Sequence, residues 1–426
     1  MNVSIASGHV THQAQAVATA KRRYELDWLR TLVVLGLIPV HTAPIFTPST
    51  DLYLKDTHTS AAMLLVGTFV GVFGMPLLFF VSGAATWFAL RSRTPARYVR
   101  ERVLRLLVPL LFATLTIVPV QAYVVARSNP DLLSSIGAPI YDPHFLDSFV
   151  KFYPQYLVSY VYFLGHPSIP GFIAFIGQLW FVVYLFVFSL LALPLFMYLR
   201  RPESLRQIER LAGFCARPGA IFLLALPLAL ADALAHAIWT GTGAVAEIFV
   251  YLLSFIFGYA LYADPRFEQA IRRQWGLALA AGLGLWIFAE LFLLQGPQRP
   301  YDNNMGSIFF IPLRGIMAWF WIIGWIGFGM TYLSHASRLL GYLSNAAYPV
   351  FILHVAVIVS VGSIVIGWDI PLLAKFAIIM VAAYAIVLGI YEVLIRRFNF
   401  MRVLFGLRAA PTQRPSPPAP ISGQAT

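Results

Sequence analysis

Arg30 and His41, in the stretch that opens Tyr24-Glu-Leu-Asp-Trp-Leu-Arg30, are the first residues that could do chemistry. They stand eleven residues apart. At about 100° per residue this returns to nearly the same helix face, with a rise of about 16 Å. If the apolar segment between them spans a membrane, the helix presents a cation near one surface and an imidazole well inside the hydrocarbon. An ionisable group at that depth is costly and by default marks a functional site; the blander reading is a His satisfied by a neighbouring helix. Pro39 removes a backbone hydrogen bond and frees the Leu35 carbonyl, so a kink beside His41 would help open a cavity. A neutral imidazole among apolar helices keeps a lone pair for a proton near neutral pH. His41 is therefore the candidate general base, suited to removing a hydroxyl proton as that oxygen attacks an activated carbonyl.

The second constellation is basic: Arg91, Arg93, Arg97, Arg100, Arg102 and Arg105, ending at Pro109. Arg102 and Arg105 are three residues apart, neighbours on one helical face. Two guanidiniums held together can grip a phosphate-bearing ligand, and equally can anchor the chain at an anionic lipid surface. A second imidazole, His354, lies midway along a later apolar segment and either faces the same cavity or bridges helices. Oxyanion donors are open, with His354 or the Trp180 indole N–H as candidates. Further polar residues in apolar segments are Asp232 with His236 one turn on, Glu247, Glu290, Arg314 and Glu392. Glu290 and Arg314 are expected toward the outer helix ends, where they can pair and shape a cavity mouth. Asp232 either orients a His or holds a helix interface, and Glu392 offsets Arg396 four residues on.

The elements that must position these residues follow from composition. Of 426 residues, 59% are hydrophobic and 11% charged, with a mean hydropathy of +0.75. That places the chain among all-α polytopic membrane proteins. The net charge of +12 comes from short Lys/Arg clusters between apolar spans, so membrane topology, not nucleic acid, explains it. One cysteine, Cys215, excludes an intrachain disulfide and a Cys-rich metal site, and no metal is expected. Apolar runs predict about ten helices, near 29–48, 61–90, 103–126, 172–199, 220–239, 245–262, 275–295, 307–333, 343–367 and 371–394. With both termini cytoplasmic, 24 of the 30 Lys and Arg fall on inner segments, as the positive-inside rule requires. Residues 1–20 lack an apolar core and are expected to be flexible, the first span acting as signal-anchor. The transmembrane domain is expected over 21–408, followed by a Pro- and Ser-rich tail, 409–426, expected to be disordered. The long outer segment 127–171 carries many Tyr and Phe, which suits either an interfacial belt or carbohydrate contact above a site.

Several mechanisms are disfavoured. There is no Walker A sequence, no HExxH, and no symmetry between halves of the kind secondary transporters show. A transporter or flippase of a glycan or lipid-linked sugar remains the alternative class, using the same polar residues as a path.

Taken in order, the opening motif with His41, the Arg102-x-x-Arg105 pair, Gln178-Leu-Trp-Phe-Val-Val-Tyr184, Gly258-Tyr-Ala-Leu-Tyr-Ala-Asp-Pro-Arg-Phe267, Leu343-Ser-Asn-Ala-Ala-Tyr-Pro-Val-Phe-Ile-Leu-His354 and Tyr391-Glu-Val-Leu-Ile-Arg-Arg-Phe-Asn399 resemble the acyltransferase-3 family of membrane acyltransferases. The resemblance runs from about 22 to 408 and looks nearest the branch containing the periplasmic-glucan succinyltransferase. It implies ten spans in the bacterial inner membrane. It also implies acyl transfer from cytosolic acyl-CoA (succinyl-CoA or acetyl-CoA) to a hydroxyl of an extracytoplasmic glycan or glycolipid. By the same resemblance His41 is the base, Arg30 supports the donor path, and Arg102 and Arg105 engage the CoA phosphates. Trp180, Glu290, Arg314 and His354 are expected on the substrate side. Pro39 departs from the family pattern.

Overall fold

A computed structural model describes residues 22–48, 54–128, 143–165, 176–238, 243–295 and 305–409. The expectations for 1–20, for most of the tail and for parts of 127–171 lie outside the described residues. Within them the chain is helical, with no strand. Eight helices are long and apolar enough to cross a membrane, and Gly177–Leu191 with Leu193–Leu199 forms a further candidate bent by 47°. A shorter apolar helix, Glu247–Leu261, fills the remaining position, so every expected segment coincides with one of these helices. Observed helices run past the expected boundaries where polar residues extend them: Pro265–Gln295 begins ten residues before its apolar stretch.

Internal contacts group the chain into two compact units. The first comprises Met1–Val33, Phe69–Trp87 and Leu199–Ser344. Small residues let its helices approach closely, as van der Waals packing in lipid favours. A Cβ added at Gly83 would stand 1.9 Å from the Phe255 carbonyl oxygen, and one at Gly258 would stand 1.9 Å from that of Phe80. Further along the same helix, Ala62–Ser92, Phe69 and Phe73 pack on Trp321, and Trp321 stacks on Trp325. Two ends assigned to the same membrane side are tied together here, since Arg23 donates to Glu268 at 2.7 Å. Arg272 likewise donates to the Met330 carbonyl.

The second unit comprises Val34–Thr68, Phe88–Tyr198 and Asn345–Thr426. Pro95–Arg102 starts cleanly: Thr94 caps it by accepting from the Arg97 amide, and proline occupies the first turn. A π-helical turn, Val103–Leu107, follows. Within the aromatic-rich segment expected outside, Phe149–Gly165 is a helix in which Tyr153 and Tyr156 donate to the Leu115 and Thr114 carbonyls. Lys375 and Asp56, both assigned to the outer side, meet at 2.6 Å in the interior.

Candidate active site

His41 sits in the last turn of Tyr24–Thr42. The helix passes through Pro39 without a break, and the Leu35 carbonyl that Pro39 frees accepts from the Tyr384 hydroxyl at 2.8 Å. Against His41 lies His354, with ring centroids 5.0 Å apart and planes inclined by 54°. His354 thus stands directly against His41, on a neighbouring helix. His354 is fully buried, and the Phe351 and Val350 carbonyls lie 2.8 and 3.2 Å from its Nδ1. A carbonyl only accepts, so Nδ1 carries the proton of the neutral ring and Nε2 the lone pair. That arrangement makes Nε2 an acceptor, which disqualifies the neutral ring as an oxyanion donor. Nε2 is buried and has no hydrogen-bond partner.

The bent span packs next to this pair. Gln178, just ahead of Trp180, is buried and donates its amide to the Ile352 carbonyl at 3.0 Å, leaving its buried oxygen without a donor. Phe181 packs on Phe351, the residue whose carbonyl holds His354. Trp180 opens the helix half-buried, its ring 5.3 Å from Tyr184. Gln178 joins this neighbourhood, although the sequence marks it only as the head of the Gln178–Tyr184 motif and not as a candidate site residue. Its only signal is an amide at the head of an otherwise apolar run.

Arg102 and Arg105 lie in the same unit, but the turn between them is π-helical, not the plain α-helix expected. Arg102 ends its helix with the guanidinium 4.8 Å from the Tyr98 ring centre, and Tyr98 is buried. Such a contact orients a cation without neutralising it. The charges acting on Arg105 are Arg408, Glu101, Arg93 and Arg102. Glu101 is already engaged with Arg93 at 2.7 Å and Arg97 at 3.5 Å. Arginines thus predominate among the charges acting here, a composition suited to an anion.

In the first unit, Arg30 donates to Ser344 at 2.9 Å and to Asp27 at 3.2 Å. Arg314 does not take Glu290 as its partner. It donates twice to fully buried Asp232, at 2.6 and 3.1 Å, and once to Glu247, whose other oxygen accepts from Tyr251. Asp232, on Ala225–Ile238, and Glu247, on Gly243–Leu261, supply the two carboxylates; Glu290 stays half-buried on Pro265–Gln295. Asp232 thus serves chiefly to meet Arg314, with the His236 Nδ1 3.4 Å from one of its oxygens. Gly71, Val72 and Pro76 face Glu247, Tyr251 and Arg314 across a narrow cleft. Glu392 pairs with Arg396 at 2.7 Å as expected.

No curated protein and no solved structure matches the chain. A family model described as an acyltransferase domain matches residues 23–392, a stretch that includes both imidazoles, the arginine pair and the Arg314 cluster. On that match the chain belongs to the acyltransferase-3 family, and it is a multi-pass membrane acyltransferase.

Proposed function

We propose that the protein transfers an acyl group from cytosolic acyl-CoA to a hydroxyl of an extracytoplasmic glycan or glycolipid, in a bacterial inner membrane with both termini inside. Succinyl is preferred over acetyl on the branch resemblance. The observation that carries the reading is the contact between half-buried His41 and fully buried His354, in the same unit as a cluster of arginines. The family match to an acyltransferase domain supports acyl transfer as the reaction.

In this reading Arg102 and Arg105 hold the CoA phosphates, as guanidiniums do through paired N–H donors. The pantetheine arm carries the thioester toward His41. His41 takes the proton of the attacking hydroxyl; an O–C bond forms and the C–S bond breaks. The proton then passes from His41 to the leaving thiolate, giving ester and free CoA. Direct transfer needs no covalent acyl-enzyme. Arg30 supports the donor path, while Trp180, Glu290 and Arg314 serve substrate binding.

The test is binding of CoA, acetyl-CoA and succinyl-CoA to the full chain in nanodiscs. Wild type is expected to bind in the micromolar range. The Arg102→Ala/Arg105→Ala variant should lose about 100-fold, since two charge-assisted contacts are worth about 3 kcal/mol together. His41→Ala should keep binding and lose turnover. Folded wild type that binds none of the three would sink the CoA assignment and leave glycan transport as the reading to pursue.

A further inference from the structure

His354 is held in a way that packing alone does not require. Its Nδ1–H is fixed on the Phe351 carbonyl at 2.8 Å, with the Val350 carbonyl at 3.2 Å. The ring is fully buried, Phe351 packs against it at 5.9 Å between ring centres, and Nε2 is left as a buried lone pair without a donor. A buried acceptor left unsatisfied is costly and calls for an explanation. The nearest imidazole is that of His41, 5.0 Å away between centroids. A ring nitrogen stands about 1.1 Å from its ring centre. His354 Nε2 makes no hydrogen bond as the rings stand, but a turn of the His41 ring that faces one of its nitrogens toward Nε2 closes the gap to about 3 Å, the span of an N–H···N hydrogen bond.

From this geometry we infer that His354 is the positioning residue for His41: when the His41 ring turns toward it, Nε2 accepts the N–H of one His41 ring nitrogen and so leaves the other nitrogen as the base. The inference rests on the acyl-transfer reading. In that reaction the lone-pair nitrogen of His41 takes the hydroxyl proton and returns it to the CoA thiolate. The second His41 proton stays on its nitrogen throughout, hydrogen-bonded to His354. Carboxylates orient catalytic imidazoles in this manner elsewhere. A neutral imidazole does so here without placing a negative charge in the hydrocarbon, where an anion is costly. The backbone lock on Nδ1 is essential to the scheme, because the opposite tautomer would set two N–H groups against each other.

Two measurements separate this role from simple packing. In the full chain labelled with 15N-histidine in nanodiscs, the His354 signals, identified by their loss in His354→Gln, should report a proton on Nδ1 and none on Nε2. A through-space correlation should join His354 Nε2 to a His41 N–H. A proton on Nε2, or no correlation, overturns the inference whether or not the protein turns over acyl-CoA. The second measurement is CoA release from succinyl-CoA or acetyl-CoA with methyl glucoside as surrogate acceptor. A glutamine amide reaches roughly where Nε2 stood and can still accept. An asparagine reaches only Nδ1, so it keeps the backbone bond and loses the acceptor. His354→Gln should stay within about 10-fold of wild type and His354→Asn should fall about 100-fold, the usual worth of a correctly set general base. CoA affinity should be unchanged in both, which shows that they are folded. Equal losses in the two variants would leave His354 as packing and overturn the inference. Full turnover in His41→Ala would instead overturn the base assignment, even with the ring-to-ring correlation present.

Discussion

A lysine taken into an apolar interior is tolerated only where its charge and its donors are met, and Lys375 meets both conditions. Its ammonium donates to Asp56 at 2.6 Å and to the Ile366 carbonyl at 2.8 Å, while the other Asp56 oxygen accepts from the His58 amide. Both side chains are almost wholly buried. Removing one partner of such a pair strands a buried charge, whereas replacing both is far milder. Lys375→Met is therefore expected to destabilise by about 3–5 kcal/mol. Adding Asp56→Asn should recover most of that loss, because asparagine keeps an acceptor for the His58 amide. Unfolding midpoints of the three proteins in detergent check this, and a double variant as unstable as the single one would refute it. The pair also marks where residue-level reading stops. Lys375 and Asp56 are 319 positions apart, and no local spacing connects them. The same limit explains Arg314: its depth and its need for an anion were legible, but the choice of Asp232 and Glu247 over Glu290 depends on which helices pack together. Where a partner follows from backbone chemistry the reading went further. Pro39 identifies the Leu35 carbonyl as freed from the sequence alone, and the fold supplies its donor, Tyr384.

At the scale of elements, hydropathy located each candidate membrane span among the described residues, and glycine set how near some of them come. Gly258 and Gly276 lie on neighbouring stretches of the first unit and make opposite demands. A methyl at Gly258 would collide with the Phe80 backbone at 1.9 Å, whereas one at Gly276 would meet nothing within 4 Å. Gly258→Ala is expected to cost about 1–3 kcal/mol by forcing the helices apart. Gly276→Ala should be neutral or stabilising by up to about 1 kcal/mol, since alanine is the better helix former. Thermal unfolding of the two variants side by side checks both signs. Composition gave no hint of this difference, because both are glycines in apolar helices. The π turn at Val103–Leu107 was equally hidden. Arg-x-x-Arg reads as a helical face, yet Pro109 leaves the Arg105 carbonyl without its usual donor and the ladder shifts there. Gly406, in a left-handed conformation at φ 70°, lies against that same carbonyl, 2.9 Å from where its Cβ would be. The chain that follows brings Arg408 to act on Arg105. A cation of the C-terminal segment thus joins the arginine cluster, which spacing around residue 100 alone did not reveal.

For the molecule as a whole, the distribution of charge assigns sides, and the ion pairs that form are consistent with one assignment. Arg23 with Glu268 joins two ends expected inside; Lys375 with Asp56 joins two expected outside. Such pairs fix which ends share a side, and the positive-inside rule then says which side is the cytoplasm. The acyl-CoA reading depends on it, because Arg102 and Arg105 must face the cytosolic pool. Cys215 makes a clean test possible. It is fully buried at the end of Pro202–Cys215, and burial pushes its thiol up to about 11. At pH 8 about one thiol in a thousand is then thiolate, the form that reacts, so the native chain should label poorly with maleimide even in permeabilised cells. Single cysteines can be introduced at exposed Lys151 and Thr57, expected outside, and at exposed Arg210 and Arg273, expected inside. An impermeant maleimide applied to intact inner membranes should label Lys151→Cys and Thr57→Cys and spare Arg210→Cys and Arg273→Cys until the membrane is opened. The reverse pattern would place the arginine cluster outside, beyond the reach of cytosolic CoA, and the donor assignment would fall with the topology. Rapid labelling of Cys215 itself would instead show that Pro202–Cys215 does not pack as described, leaving the orientation to the four introduced positions.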